Sequence, residues 1–366
     1  MKFFQKKFFF IFLFLVVPFL INAKYPKGFS PKAGTRLDSL PQSIKETYKK
    51  GKANLSLGYF GSAEVFFKNV LKERPFFPEA LTDLGLALEG QGKLKEAKIF
   101  HEKALQQWPN YKQARFHLAN NYYKQGDYLK AINHYEMARE LNPKDADLLT
   151  NLGTAYLRMN NLENARKQFE QALQLSPYLM EAKSHLAQTY FLEGNYSKAL
   201  SLYQEISQNN PNNAENFANL GNVYLVLGQN KKASDAYQKA LSLDPKQEEA
   251  QYGLGFLAYL NNKDEQAKKY FYKTLSLNPK HPKVRFYLAQ IELRSKDEEA
   301  NTFAIALLEH HLEYAPRDMK ARLQLATLYS QENRLKEAQL QMKAIENQNP
   351  KEYQKLVEKM ELSNGN

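Results

Sequence analysis

The sequence predicts an all-α protein assembled from helical hairpins. Three observations predict it: a proline that returns every 34 positions, an alanine twelve residues ahead of each such proline, and apolar residues at helical spacing between them. Residues 146–179 show the unit at its clearest, as two amphipathic helices joined at Asn160 and Asn161. The first helix carries Leu149, Leu152 and Tyr156 on one face, and the second carries Ala165, Phe169, Ala172 and Leu173. Gly153 and Ala165 are the small residues that allow the two to approach closely. Pro177 ends the second helix, because the residue before a proline is pushed out of the α region. One such hairpin cannot bury its apolar face alone, so it requires neighbours of the same kind.

The neighbours are present. The period runs through Pro75, Pro109, Pro143, Pro177, Pro211, Pro245 and Pro279, then Pro316 after a step of 37, then Pro350, which makes nine units. The alanine recurs in all nine, as Ala63, Ala97, Ala131, Ala165, Ala199, Ala233, Ala267, Ala304 and Ala338. The small residue of the first helix recurs as Gly51, Gly85, Ala119, Gly153, Ala187, Gly221, Gly255, Ala289 and Ala326, with leucine before it in every unit except the first, where Lys50 stands.

A 34-residue helix–turn–helix with Leu-Gly/Ala, an aromatic residue three positions on, a later alanine and a terminal proline resembles the tetratricopeptide repeat. Leu152, Gly153, Tyr156, Ala165, Phe169, Ala172 and Pro177 match that pattern position by position, and the resemblance covers roughly residues 44–350. It implies a right-handed α-solenoid of antiparallel helix pairs, with a concave wall built mainly from first helices and with binding, not catalysis, as its use. The expected repeats are 44–77, 78–111, 112–145, 146–179, 180–213, 214–247, 248–281, 282–318 and 319–350.

Residues 1–23 have the layout of a secretory signal peptide: Lys2, Lys6 and Lys7 precede an apolar run over 8–21, with Ala23 at a plausible cleavage point. The run of 14 residues is shorter than the roughly 20 that span a bilayer, so an uncleaved anchor is the alternative reading. Export to a periplasmic or envelope-associated site is the expectation. There is no cysteine, which excludes disulfides, thiol catalysis, cysteine-ligated zinc and lipidation of a leader cysteine. The formal charge of +12 falls to +9 once Lys2, Lys6 and Lys7 are removed. Lys and Arg are spread over every unit, as expected of solvated outer faces; a basic surface for anionic polymers is the competing reading.

Residues 24–43, with Pro26, Pro31, Pro41, Gly28 and Gly34, are expected to form a flexible linker. Lys49, Lys50 and Lys52 replace apolar positions in the first repeat, as suits a terminal cap. Ala258 stands where most repeats carry Tyr, so Tyr259 is expected to fill part of that space. The three extra residues of the eighth repeat are placed between Arg294 and Asn301, and Glu292 takes the aromatic position there. Residues 351–366 are expected to form a capping helix, through Tyr353, Leu356 and Met360, followed by a short tail.

No catalytic motif occurs. The seven histidines form no metal pair with a third ligand, and Gly253-Leu254-Gly255 sits within a helix at a close-packing position, not in a phosphate loop. No cofactor and no metal are expected. In repeats of this family the second, fifth, sixth, ninth, twelfth and thirteenth residues of each first helix face the groove. The positions that emerge are Phe116, Asn120, Tyr123, Asn151, Arg158, Phe191, Asn219, Asn222, Tyr252, Phe256, Tyr259, Phe286 and Tyr287. The asparagines can hydrogen-bond the backbone of an extended peptide, and the aromatic residues are suited to anchor a partner. Asn120 and Asn151 match the two amides of a carboxylate clamp found in some relatives, but Glu181 and His185 occupy its basic positions, so that partner is not expected.

The function expected is that of a non-catalytic, exported scaffold holding a peptide or protein segment. The alternatives are a substrate-recruiting or regulatory subunit of a separate enzyme, such as a glycosyltransferase, and a basic surface for nucleic acid or another anionic polymer. Export argues against intracellular nucleic acid.

Overall fold

The computed structural model describes residues 40–355, apart from Lys296, Glu298 and Glu352. The expected leader, the linker up to residue 39, and Leu356 and Met360 of the expected cap lie outside the described residues. The chain divides into two compact units, 1–159 and 160–366. Within each, every described helix packs on the next in the chain.

The first unit holds α1 (Gln42–Ser56), α2 (Phe60–Glu73), α3 (Pro78–Gly90), α4 (Leu94–Gln107), α5 (Lys112–Lys124), α6 (Tyr128–Leu141) and α7 (Ala146–Arg158). The second begins with α8 (Leu162–Leu175), α9 (Met180–Leu192), α10 (Tyr196–Asn209), α11 (Ala214–Val226), α12 (Asn230–Leu243) and α13 (Glu248–Leu260). It continues with α14 (Asp264–Leu277), α15 (Val284–Glu292), α16 (Ala300–Tyr314), α17 (Met319–Gln331) and α18 (Leu335–Gln348). No strand occurs among the described residues.

Local chemistry accounts for the boundaries. Each second helix, from α2 to α18, stops two residues ahead of its repeat proline. The turn from first to second helix needs one left-handed residue. Glycine supplies it at 58, 92, 126, 194 and 228, and Asn160, Asn262 and Asn333 supply it at φ values of 54–56°. Asp127, Asn161 and Asn195 then cap the following helix with their side chains.

Two expectations about the elements are corrected. Gln42 and Ser43, assigned to the linker, already belong to α1, whose first turn closes on the Pro41 carbonyl. In the eighth repeat α15 ends at Glu292 and α16 begins at Ala300, so Asn301, expected between the helices, is helical, and α15 has only 9 residues where the first helices of repeats two to seven have 13. Beyond those corrections, in the first, second, sixth and seventh repeats the small residue of the first helix makes room for a ring sixteen positions on. A Cβ built at Gly51 would lie 2.7 Å from Phe67, at Gly85 2.4 Å from His101, at Gly221 2.5 Å from Tyr237, and at Gly255 2.8 Å from Phe271. The recurrent alanines are themselves buried in every repeat.

Successive repeats are also tied by a polar rung. The tyrosine three residues after the small residue donates its hydroxyl to a glutamate twenty positions earlier. Tyr122 reaches Glu102 at 3.3 Å and Tyr156 reaches Glu136 at 2.8 Å in the first unit. In the second, Tyr190 reaches Glu170 at 2.9 Å, Tyr329 bonds Glu309, and Gln204 donates to Tyr224 at 3.0 Å. At Ala258 the tyrosine is missing. Glu292, at the same position one repeat on, pairs with Lys268 at 3.0 Å. Tyr259 packs against Tyr287 at 5.1 Å, under the Arg294 guanidinium 4.1 Å from its ring centre.

Candidate binding surface on the first helices

In the second unit, α9, α11 and α13 bound a hollow of about 540 Å³. Gln188, Phe191, Asn219 and Asn222 line it, together with Tyr203, Glu215, Asp244, Gln247 and Glu249. Three expected site residues, Phe191, Asn219 and Asn222, therefore share one concavity. Of the acidic residues, Glu249 belongs to the Glu248-Glu249 pair, which in the sequence alone reads as solvated charge; it and Glu215 are second residues of their helices and so obey the rule for groove positions.

Asn222 does not offer both amide groups to a ligand. The hydroxyl of the buried Tyr237 donates to its Oδ1 at 2.7 Å, leaving the NH2 for other contacts. Asn120 on α5 is engaged in the same way by the buried Tyr135. The reason is packing: a tyrosine at the ring position buries a hydroxyl that must find an acceptor. Repeats with phenylalanine there need none, and in the seventh, where the ring is Phe271, Phe256 takes the position that Asn222 holds in the sixth.

One repeat further on, the expected aromatic residues come together. Tyr287 on α15 is the hub, with ring centres at 5.1 Å from both Phe256 and Tyr259, 5.6 Å from Phe286, and 6.4 Å from Tyr252. His281 lies 4.6 Å from Tyr252, and Phe286 reaches toward His311 at 5.8 Å. The five rings are half-buried, so they both complete inter-repeat packing and leave faces in contact with solvent. Burial and the neighbouring Tyr287 hold the Tyr252 hydroxyl above the usual phenolic range, so it stays a neutral donor. Burial and the adjacent Glu248 also push the Glu249 carboxyl up, against the opposing charge of Lys283.

The first unit brings fewer of its expected residues together. Phe116 packs on His117 and Tyr135 at 5.4 and 6.0 Å. Arg158 donates to the Tyr123 hydroxyl at 3.0 Å. Asn151 is half-buried on α7. The notable polar site here is one sequence reasoning missed. Glu89, nearly buried, receives Lys124 at 2.8 Å and Asn121 at 2.9 Å, with His101 Nε2 at 3.3 Å. Burial works against its charge, but these hydrogen bonds outweigh it and bring the carboxyl down to about 2. Among the described residues no group of three or more His, Asp or Glu is placed to hold a metal ion, and no helix is long and apolar enough to cross a membrane.

Paired helices on a 34-residue period, each packed on the next, define a helical-repeat protein. Residues 144–360, more than half of the chain, match the family model described as the cilia and flagella-associated protein 70 C-terminal domain, a tetratricopeptide-repeat model. Residues 119–160 and 48–112 match models described as TPR repeat and tetratricopeptide repeat. The chain belongs to the tetratricopeptide-repeat family. No curated protein matches it in sequence.

Solved structures share the fold. A tetratricopeptide repeat protein from Parabacteroides merdae is 22% identical, with a TM-score of 0.56 over 69% of this chain and 99% of its own. The pilF protein of Pseudomonas aeruginosa is 18% identical, with a TM-score of 0.51 over 60% of this chain and 97% of its own. A chain of the APC/C hetero-tetramer Cut9-Hcn1 is 15% identical, with a TM-score of 0.57 over 74% of this chain and 52% of its own.

Proposed function

We propose that this protein is a non-catalytic, exported scaffold that holds an extended segment of a protein partner on the first helices of its repeats. After cleavage near Ala23 it would act in the periplasm or at the envelope. The observation that carries the binding part of the reading lies in the second unit. There the hollow bounded by α9, α11 and α13 is followed along α13 by the aromatic set around Tyr287, with Glu249 and Tyr252 one turn apart. Amides suited to a peptide backbone stand next to rings suited to side-chain anchors. The leader-like residues 1–23 support export.

The test is affinity purification from fractionated native cells, with the tag at Asn366, comparing wild type with Asn219→Ala/Phe256→Ala. A partner recovered from the envelope or periplasmic fraction by the wild type and lost in the variant is the expected result. Equal recovery by both would refute the binding surface, and recovery from the cytosol with the leader intact would refute export.

A further inference from the structure

Resting on that reading, we propose that the hollow bounded by α9, α11 and α13 selects a basic segment, one arginine or lysine of an extended peptide entering among Glu215, Asp244 and Glu249. The chain carries a formal charge of +12, so three carboxylates gathered at one concavity run against its overall balance. Among the described residues none of the three forms an ion pair. The Asp244 carboxylate accepts only the backbone N–H of Lys246, at 2.9 Å. The adjacent Glu248, by contrast, is occupied by Asn278 at 2.8 Å. Lys283 acts on Glu249 through its charge without an ion pair, and Lys246 stands two residues along from Asp244.

The three carboxylates are exposed, and a buried group beside them also calls for a ligand: Tyr203, 3% exposed, lines the same hollow, and among the described residues its hydroxyl has no hydrogen-bond partner. Phe191 offers an apolar wall for the aliphatic stem of Lys or Arg. Asn219 and the NH2 of Asn222 are placed for peptide carbonyls, since Tyr237 already takes the Asn222 oxygen. The carboxylates are not grouped as metal ligands, whereas a guanidinium, with five donors in a planar fork, can bridge more than one of them. An acidic segment would meet like charge and pay the cost of desolvation without a partner.

The experiment is selection of a random 12-residue peptide library, displayed on phage, against the full chain at 0.15 M salt. The winning sequences are then synthesised and their affinities measured for wild type and variants. The expected result is a consensus with Arg or Lys at a fixed position. Its affinity should fall on the order of tenfold in Glu215→Gln/Glu249→Gln, as when a charge-assisted hydrogen bond is lost, and stay unchanged in Asp235→Asn. A consensus without a cationic residue, lost in Asn219→Ala but retained by the double glutamine variant, overturns the basic-segment inference and leaves the scaffold reading standing. Peptides that bind Asn219→Ala/Phe256→Ala as well as wild type, or a library that yields no binder, overturn both.

Discussion

Tyr237 shows how a single residue joins two repeats and a binding surface. Its ring faces the place where a Cβ would stand at Gly221 and, in the next repeat, at Gly253, at 2.5 and 2.3 Å, and its hydroxyl fixes Asn222. Gly253→Ala should therefore cost about 1–3 kcal/mol in denaturant unfolding, because the methyl has no room and the ring is held from both sides. Gly61→Ala, with nothing within 4 Å of its Cβ, should change stability by less than about 0.5 kcal/mol. Tyr237→Phe should cost about 1 kcal/mol, since it leaves the Asn222 oxygen without its donor. Asn222→Ala added to it should cost less than in the wild-type background. Urea titration of the four proteins closes that cycle. The pairing was present in the sequence as Tyr and Asn fifteen positions apart, in two repeats. Nothing in periodicity tells an amide aimed at a ligand from one aimed at a buried phenol, so the residues were legible and their role was not.

At the scale of elements, the eighth repeat is where regularity gives way. Its first helix is short, its turn carries the insertion, and the tyrosine rung is absent on both sides of α14. Arg294 compensates. It bonds the Tyr259 carbonyl at 3.2 Å, Asn262 at 3.0 Å and Asp264 at 3.1 Å while lying over the Tyr259 ring. Arg294→Ala should lower stability by about 1 kcal/mol, as expected for a partly exposed ion pair with added cation–π contact. Amide exchange should accelerate at residues 259–264 before it does elsewhere in α13 and α14. The place of the insertion was readable from a proline step of 37. Its use as a tie between neighbouring repeats was not, because the partners of Arg294 lie thirty to thirty-five residues earlier in the chain.

For the molecule as a whole, buried titratable groups set the response to pH. Burial brings His117 and His134 down to about 4, the former helped by the neighbouring His101, and lowers His281 in the second unit. The unfolded chain binds these protons near pH 6.5, so between about 6.5 and 4 it holds more protons than the folded one, and stability must fall as pH falls through that window. Glu89, held near 2, acts lower: its contribution is complete above the usual carboxylate range and is lost on acidification from about 4.5 toward 2. Thermal midpoints should thus be flat between about pH 7 and 9 and decline from about 6.5 to 4. His134→Phe should make that decline shallower; a slope identical to wild type would refute burial as its cause.

By itself the sequence determined the fold class, the repeat count, the start of the first helix in repeats two to seven and nine, and the end of every second helix. These depend on chemistry local to the chain: a proline that stops a helix, a left-handed glycine or asparagine that turns it, an apolar face repeating at 3.6 residues. Only the tertiary structure decided which polar side chains serve packing and which face an open concavity. Tyr237 engages Asn222 while Asn219 lines the hollow, Glu248 is taken by Asn278 while Glu249 is not, and Arg294 spans two repeats. Such roles depend on which neighbour lies within about 3 Å, the reach of a hydrogen bond, and residues fifteen to thirty-five positions apart acquire that neighbour only when the helices pack.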